Sequence, residues 1–377
     1  MNRTMRVMII AGEASGDMYG AGVVRELKRH DPSCEIFGIG GDKMQAAGME
    51  LVYHIRELSV MGFLEVIQHL PLLRSVERTL RVLLGQRTPD VLLLIDYPGF
   101  NLRFARMVRK SGMKIVYYIS PQVWAWNPGR VKKMKGVIDK MLVVFPFEVD
   151  LYKKEGIDVE FVGHPLLEMF TDPQPKEDFC KRWGFSPDRK ILGLFPGSRK
   201  QELERIFPQM LGAARILEQR SGVQVAVGVS SILETDFVKS FIRDPGTVKL
   251  VQHATYDVMK NSDIAFVTSG TATLETGYYQ TPMIVVYKTS WLSYCIARLL
   301  VRIKTIGLVN IVAGKKIVPE FIQAQVTPDR LAEAGGDLLR DEQRRKEMSA
   351  LLGCIREKLG TTGASARVAE TVIACAQ

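Results

Sequence analysis

Residues 91–101 read VLLLIDYPGFN: five consecutive apolar residues, then Asp96, then Pro98, Gly99 and Asn101. An unbroken apolar run bounded by turn formers fits a strand covered on both faces, the habit of parallel sheets. The proline, glycine and asparagine force a turn at the strand's carboxyl end, and Asp96 stands at its head. Runs of the same kind recur between helical stretches: RVMII, EIFGIG, KIVYYI and MLVVF on either side of it, then ILGLFPG, VQVAVG, VKLVQ, DIAFVTSG and PMIVVY. Strands alternating with longer helical segments predict an α/β protein. The two series are separated by a charged stretch holding Pro165, Pro173 and Pro175, which puts a boundary near residues 166–176. The expected organisation is two Rossmann-like lobes, residues 1–168 and 169–360, with a last helix in 361–377 that could pack on either.

With 46% hydrophobic and 24% charged residues in a 377-residue chain, the composition is that of a globular protein and excludes disorder, collagen and a disulfide scaffold. Five separated cysteines without a C-x-x-C pair read as reduced thiols, with no zinc site. The start, MNRTMRVMIIAGEASGD, reads as a first strand and not as a signal peptide, and no run of about 18 apolar residues could span a bilayer. The expectation is a protein inside the cell. The net charge of +10 is concentrated locally: residues 97–138 hold nine basic side chains and no acid, and residues 276–319 hold six and none. Such stretches favour a polyanionic ligand or an anionic surface, although solvated helix faces would look the same. A nucleic acid is disfavoured, because no known reader motif is present.

Strand ends are where open parallel sheets bind ligands. After RVMII come Gly12, Gly16, Gly20 and Gly22, read as a loop leading into a helix over Val23–Lys28. The spacing is not G-x-G-x-x-G, and EIFGIGGD ends in glycines where a ribose-binding acid would stand, which argues against NAD. A tight turn without ligand stays open for the first loop, while Gly40 and Gly41 make a second one permissive of a substrate. Ser15 lacks the G-x-S-x-G frame of a hydrolase elbow. Asp96 can serve as a general base, or it can head an Asx-turn or cap a helix over Leu102–Val108. Trp124 and Trp126 fall in a proline-flanked loop that core packing would rarely choose.

The later strands lead into PGSR and SGTATLE. Ser198 and Arg199 at a helix start form a candidate phosphate clamp, with a solvated surface loop as the alternative. Ser269, Gly270, Thr271, Ala272 and Thr273 open another helix, whose amides could hold a diphosphate while Glu275 takes ribose hydroxyls; capping alone would explain only Ser269 and Thr271. No D-x-D pair offers a metal bridge. His164 reads first as a satisfied loop histidine and second as a cleft residue.

AGEASGD, SVMGFLEV, IDYPGFN, SPQVWAW, FPFE, VGHP, PGSR, SGTATLE and NIVAG follow one another from Ala11 to Gly314, and in that order the chain resembles the lipid-A-disaccharide synthase family. The resemblance implies a two-lobed GT-B glycosyltransferase, inverting and without metal or cofactor, its lobes facing across a cleft, working at the cytoplasmic face of a Gram-negative inner membrane. It implies UDP-2,3-diacylglucosamine as donor and 2,3-diacylglucosamine 1-phosphate as acceptor, giving the β(1→6) disaccharide phosphate and UDP. Asp96 matches the family's essential base, Arg199 the arginine of its P-G-S-R loop and Asn310 the asparagine before its A-G pair. Gly99 stands where some relatives have an acid. The acceptor side then gathers Gly12, Ser15, Gly16, Met61, Glu65 and Trp126, and the donor side Ser198, Arg199, residues 269–273, Glu275 and Asn310. A soluble UDP-N-acetylglucosamine transferase or epimerase of the same build is the alternative enzyme.

Acylated substrates call for work at a membrane surface. Residues 60–84 supply Val60, Met61, Phe63, Leu64, Val66 and Ile67 followed by Arg74, Arg78 and Arg81 at helical spacings, and WLSYCIARLLVRIK from Trp291 is a second basic apolar segment. Core helices or a homo-oligomer interface would read alike.

Overall fold

The computed structural model describes the chain apart from residues 1–2, 59–69, 127, 231–232, 243–245, 247, 292–293, 296–297 and 299–304, and apart from the side chains of Leu70, Ala125, Trp126 and Pro128. It divides into two compact units, one made of Met1–Met169 with Leu359–Gln377, the other of Phe170–Lys358.

The first unit is built on a seven-stranded sheet of β1 (Arg6–Ala11), β2 (Glu35–Gly40), β3 (Glu50–His54), β4 (Val91–Ile95), β5 (Lys114–Tyr118), β6 (Lys140–Val143) and β7 (Val159–Phe161), in the order β3-β2-β1-β4-β5-β6-β7. All of its pairings are parallel. The apolar runs are continuous because both faces are covered: Val7 to Ala11 and Val91 to Ile95 are wholly buried. The second unit repeats the plan with β8 (Ile191–Phe195), β9 (Gln224–Val229), β10 (Val248–Gln252), β11 (Ile264–Thr268), β12 (Met283–Tyr287) and β13 (Glu320–Ile322), ordered β10-β9-β8-β11-β12-β13 and again parallel. In each sheet the direction in which successive strands are added reverses once, between β1 and β4 and between β8 and β11. Outside the carboxyl ends of those strands lies the crevice in which doubly wound sheets hold ligands.

Three strands escape the sequence reading: β3, β7 and β13 are edge strands, short and carrying Glu50, Glu160 and Glu320. The glycine-rich start also differs from its reading. The helix begins at Ala14 and runs to His30, so Gly16, Gly20 and Gly22 lie inside it and are not loop residues. They permit close packing: a β-carbon at Gly16 would lie 3.2 Å from Ala11 Cβ, and one at Gly20 would lie 2.7 Å from Met44 Sδ. At Gly22 it would lie 2.3 Å from Ser365 Oγ, on the helix Ala364–Ala376. That final helix therefore belongs to the first unit. It is latched there by Ser365, whose amide and hydroxyl donate to the Glu168 carboxylate at 2.8 and 2.6 Å.

Candidate active site

At the β1/β4 crevice, Asp96 follows β4 directly and is half-buried. It does not cap a helix: the next helix spans Pro98–Val108, starting before the expected Leu102, and its cap residue Tyr97 makes no side-chain cap bond. Burial, with the negative charge of Glu13 beside it, pushes the Asp96 carboxyl from 3.8 up to about 7. Glu13 thus contributes to the site, although nothing within the AGEASGD stretch marks it in the sequence. A carboxylate poised near neutrality can take a proton from a sugar hydroxyl at working pH.

The glycines proposed for the acceptor side serve packing. The Tyr97 ring covers Gly12, where a β-carbon would sit 2.2 Å from Tyr97 Cγ, and Gly16 is pressed on Ala11. Ser15 is half-buried in the first turn of its helix. The loop of Gly40 and Gly41 is closed and not open to a substrate: the buried Asp17 carboxylate accepts from the amides of Gly41 at 2.7 Å, Met44 at 3.0 Å and Lys43 at 3.2 Å, capping the short helix Asp42–Ala46. Met61 and Glu65 lie outside the described residues, as does the side chain of Trp126, which ends the helix Val123–Trp126. Trp124 is anchored: its indole donates to Glu148 Oε1 at 3.1 Å, and the Ser120 hydroxyl donates to the same oxygen at 2.7 Å. Glu148, 2% exposed, is the acid of the FPFE stretch, and burial raises it to about 7. His164 is a satisfied histidine: Nδ1 accepts from the Leu166 amide at 3.1 Å, and burial lowers the ring to about 3, so it stays neutral.

At the β8/β11 crevice two helices begin. Gly197 has φ of 103° and leads to exposed Ser198 and Arg199, after which a helix runs from Lys200 to Ser221. Arg199 Nη1 lies 3.2 Å from Glu202 Oε1 in the first turn, so an arriving phosphate would draw the guanidinium from a solvent-exposed pair of little strength. Gly270, at φ 152°, precedes the helix Thr271–Tyr278, and a β-carbon there would meet nothing within 4 Å. That open space fronts a first turn without acidic residues, where Thr271 is exposed. Glu275, one turn in, receives the Tyr256 hydroxyl at 3.3 Å, and burial raises it to about 7.

Several hydroxyls and amides read as ligand contacts are already committed. The Ser269 hydroxyl donates to the Ile306 carbonyl at 2.9 Å. The Thr273 hydroxyl donates to Gly270 O at 2.8 Å and accepts from the Val309 amide at 3.3 Å. Asn310 is 1% exposed and uses both ends of its amide: Nδ2 donates to Val318 O and Glu320 Oε1, and Oδ1 accepts from the amides of Ile317 and Val318. Glu320 in turn accepts from the amides of Ile306 and Gly307. Asn310 thus holds, through Glu320, the loop on which Ser269 rests, and has no free polar atom for a ligand. Sequence spacing cannot tell such a brace from a contact residue. Conversely, Thr268 at the end of β11 was overlooked: its buried Oγ1 has no partner among the described groups.

Two parallel α/β domains, each with its polar residues at the switch point, are the build of GT-B glycosyltransferases. Solved structures agree in fold: the UDP-GlcNAc 2-epimerase from Neisseria meningitidis bound to UDP-GlcNAc matches with a TM-score of 0.66 at 12% identity, covering 98% of this chain and 100% of its own. The calicheamicin glycosyltransferase CalG4 matches at 0.64 with 16% identity, over 99% and 98%. The family model described as lipid-A-disaccharide synthetase matches residues 7–370, and the chain belongs to that family, the glycosyltransferases that form the lipid A disaccharide. The lipid-A-disaccharide synthase of Geobacter sulfurreducens is 42% identical over 374 residues, 99% of this chain and 97% of its own length. That of Syntrophus aciditrophicus is 43% identical over 366 residues, 96% of each.

Proposed function

We propose that this chain joins UDP-2,3-diacylglucosamine to 2,3-diacylglucosamine 1-phosphate with inversion, and that Asp96 is the general base. The carboxylate takes the proton of the acceptor 6-hydroxyl as that oxygen attacks the anomeric carbon from the side opposite UDP. The carbon–oxygen bond to the β-phosphate breaks and UDP leaves with the bonding pair. The observation that carries this reading is a half-buried carboxyl raised to about 7 at the sheet's switch point. In the second unit the first-turn amides of Thr271 and Ala272, facing open space beside Gly270, and the Arg199 guanidinium answer the charge that develops on the diphosphate. In this reading Glu275, one turn further, accepts the ribose hydroxyls, which favours its charged form once the nucleotide is bound. Ser198 is exposed and within the same loop; Ser269, Thr273 and Asn310 shape the site from behind.

The acyl chains assign the work to an anionic membrane surface. Arg74, Arg78 and Arg81 are all exposed on the helix Leu70–Arg87, in agreement with a basic face toward phospholipid headgroups. No helix among the described residues is long and apolar enough to cross a membrane. The test is direct: the purified protein mixed with the two acylated sugars should yield disaccharide phosphate and UDP in equal amounts. Release of a free epimerised sugar without acceptor would favour the epimerase alternative and overturn the proposal.

A further inference from the structure

Asp96 and Tyr97 both hold left-handed backbone, with φ of 47° and 48°. Two successive side-chain-bearing residues avoid that region, and the pair persists only where its surroundings over-determine it. The surroundings here converge on one atom. Asn101, which is 0% exposed, donates from Nδ2 to Asp96 O at 2.7 Å, with Ile95 O at 3.3 Å and Ile10 O at 3.4 Å as further acceptors. The wholly buried Tyr117 hydroxyl donates to the same Asp96 carbonyl at 2.6 Å. The Tyr97 ring is seated on Gly12 and stacks on Phe100, which holds the second residue of the turn. The helix that follows needs none of this: it opens on Pro98, which has no amide to satisfy.

We infer that Asn101 and Tyr117 are positioning residues of the transfer reaction: by both donating to the Asp96 carbonyl they hold the left-handed turn that presents the Asp96 carboxylate at the β1/β4 crevice. The inference rests on Asp96 being the base. A peptide free to rotate would carry the carboxylate with it, and a displacement of about 1 Å at a reacting group costs on the order of 100-fold in rate.

Tyr117→Phe keeps the ring in the core and removes only the hydroxyl. Its neighbour supplies the control: Tyr118 is equally buried, and its hydroxyl has no partner among the described groups, so Tyr118→Phe deletes the same atom without touching the turn. Tyr117→Phe should lower kcat by about 10- to 100-fold while KM for both sugars and the affinity for UDP stay within about two-fold. Tyr118→Phe should keep its kcat. Asn101→Ser reads the same split through the other donor to the carbonyl. The inference is overturned if Tyr117→Phe retains its kcat, if its loss lies in KM, or if Tyr118→Phe loses as much. Asp96→Asn measured alongside separates the two layers: a dead Asp96→Asn beside an unimpaired Tyr117→Phe keeps the base and sinks the positioning, whereas an active Asp96→Asn removes the base itself.

Discussion

Replacing Asp96 with asparagine keeps the shape of the side chain and removes its charge, so it tests burial and chemistry at once. In the folded protein the carboxyl is raised from 3.8 to about 7, first by burial and then by Glu13. An acid whose folded pKa lies above its unfolded one binds more protons folded than unfolded between those two values. Stability therefore falls as pH rises through that window, and the full penalty stands above the folded pKa. A rise of that size is worth about 4 kcal/mol at full weight, and solvent screening of a half-buried group brings it to about 2 kcal/mol. Asparagine carries no such penalty. At pH 8 the variant should melt about 4–8 °C above the parent, as expected for a unit of this size, and at pH 5, where only the lower part of that window has been crossed, the difference should shrink to roughly a third of that. Thermal melts across that range, with a turnover assay and a UDP titration at each pH, make the measurement. Turnover should be lost and UDP binding kept. An equal melting difference at both pH values would refute the burial argument, and a near-native kcat would refute the base.

Arg199→Ala should leave stability within about 0.5 kcal/mol, since its pair with Glu202 is exposed, yet cut kcat by about 100-fold through poorer support of the leaving diphosphate. EDTA should not inhibit the parent enzyme; activity lost to EDTA and restored by magnesium would defeat the account of the leaving group. Asn310→Ala removes the bonds to Val318 O and to the buried amides of Ile317 and Val318 and should cost about 3 kcal/mol or more in a thermal melt; an unchanged melt with lost UDP affinity would make Asn310 a ligand contact after all. Changing Arg74, Arg78 and Arg81 together to serine should weaken binding to anionic vesicles by about 1 kcal/mol per residue without lowering the melting temperature, because all three are exposed; unchanged co-sedimentation would remove this face from the membrane.

The central strands were legible because burial on both faces leaves an unbroken apolar run, as in VLLLI and IAFVT, and the candidate site could be sought in the sequence because strand ends are where such sheets hold ligands. What the sequence hides is partnership. ELVYH, VEF and EFI carry charges because each pairs on one side only, and nothing local marks them as strands. Glycines in AGEASGDMYGAG look like a phosphate loop, but Gly20 and Gly22 answer Met44 and Ser365, residues far along the chain. Asn310 and Thr273 have the right chemistry for a ligand and spend it on the protein. Glu13 acts on Asp96 only because β1 and β4 are neighbours in the sheet.

The first unit is discontinuous in sequence, and this bears on how the chain leaves the ribosome. Its final helix, Ala364–Ala376, is made only after all of Phe170–Lys358 has been synthesised. At about 5–20 residues per second the interval is roughly ten to forty seconds, during which the helix Ala14–His30 has no cover over Gly22 and Glu168 has no Ser365 to bind. The second unit, by contrast, is one uninterrupted segment and can close on itself as soon as it emerges. The half that carries Asp96 starts first and is finished last, so its base-bearing turn matures on a sheet still waiting for its last helix.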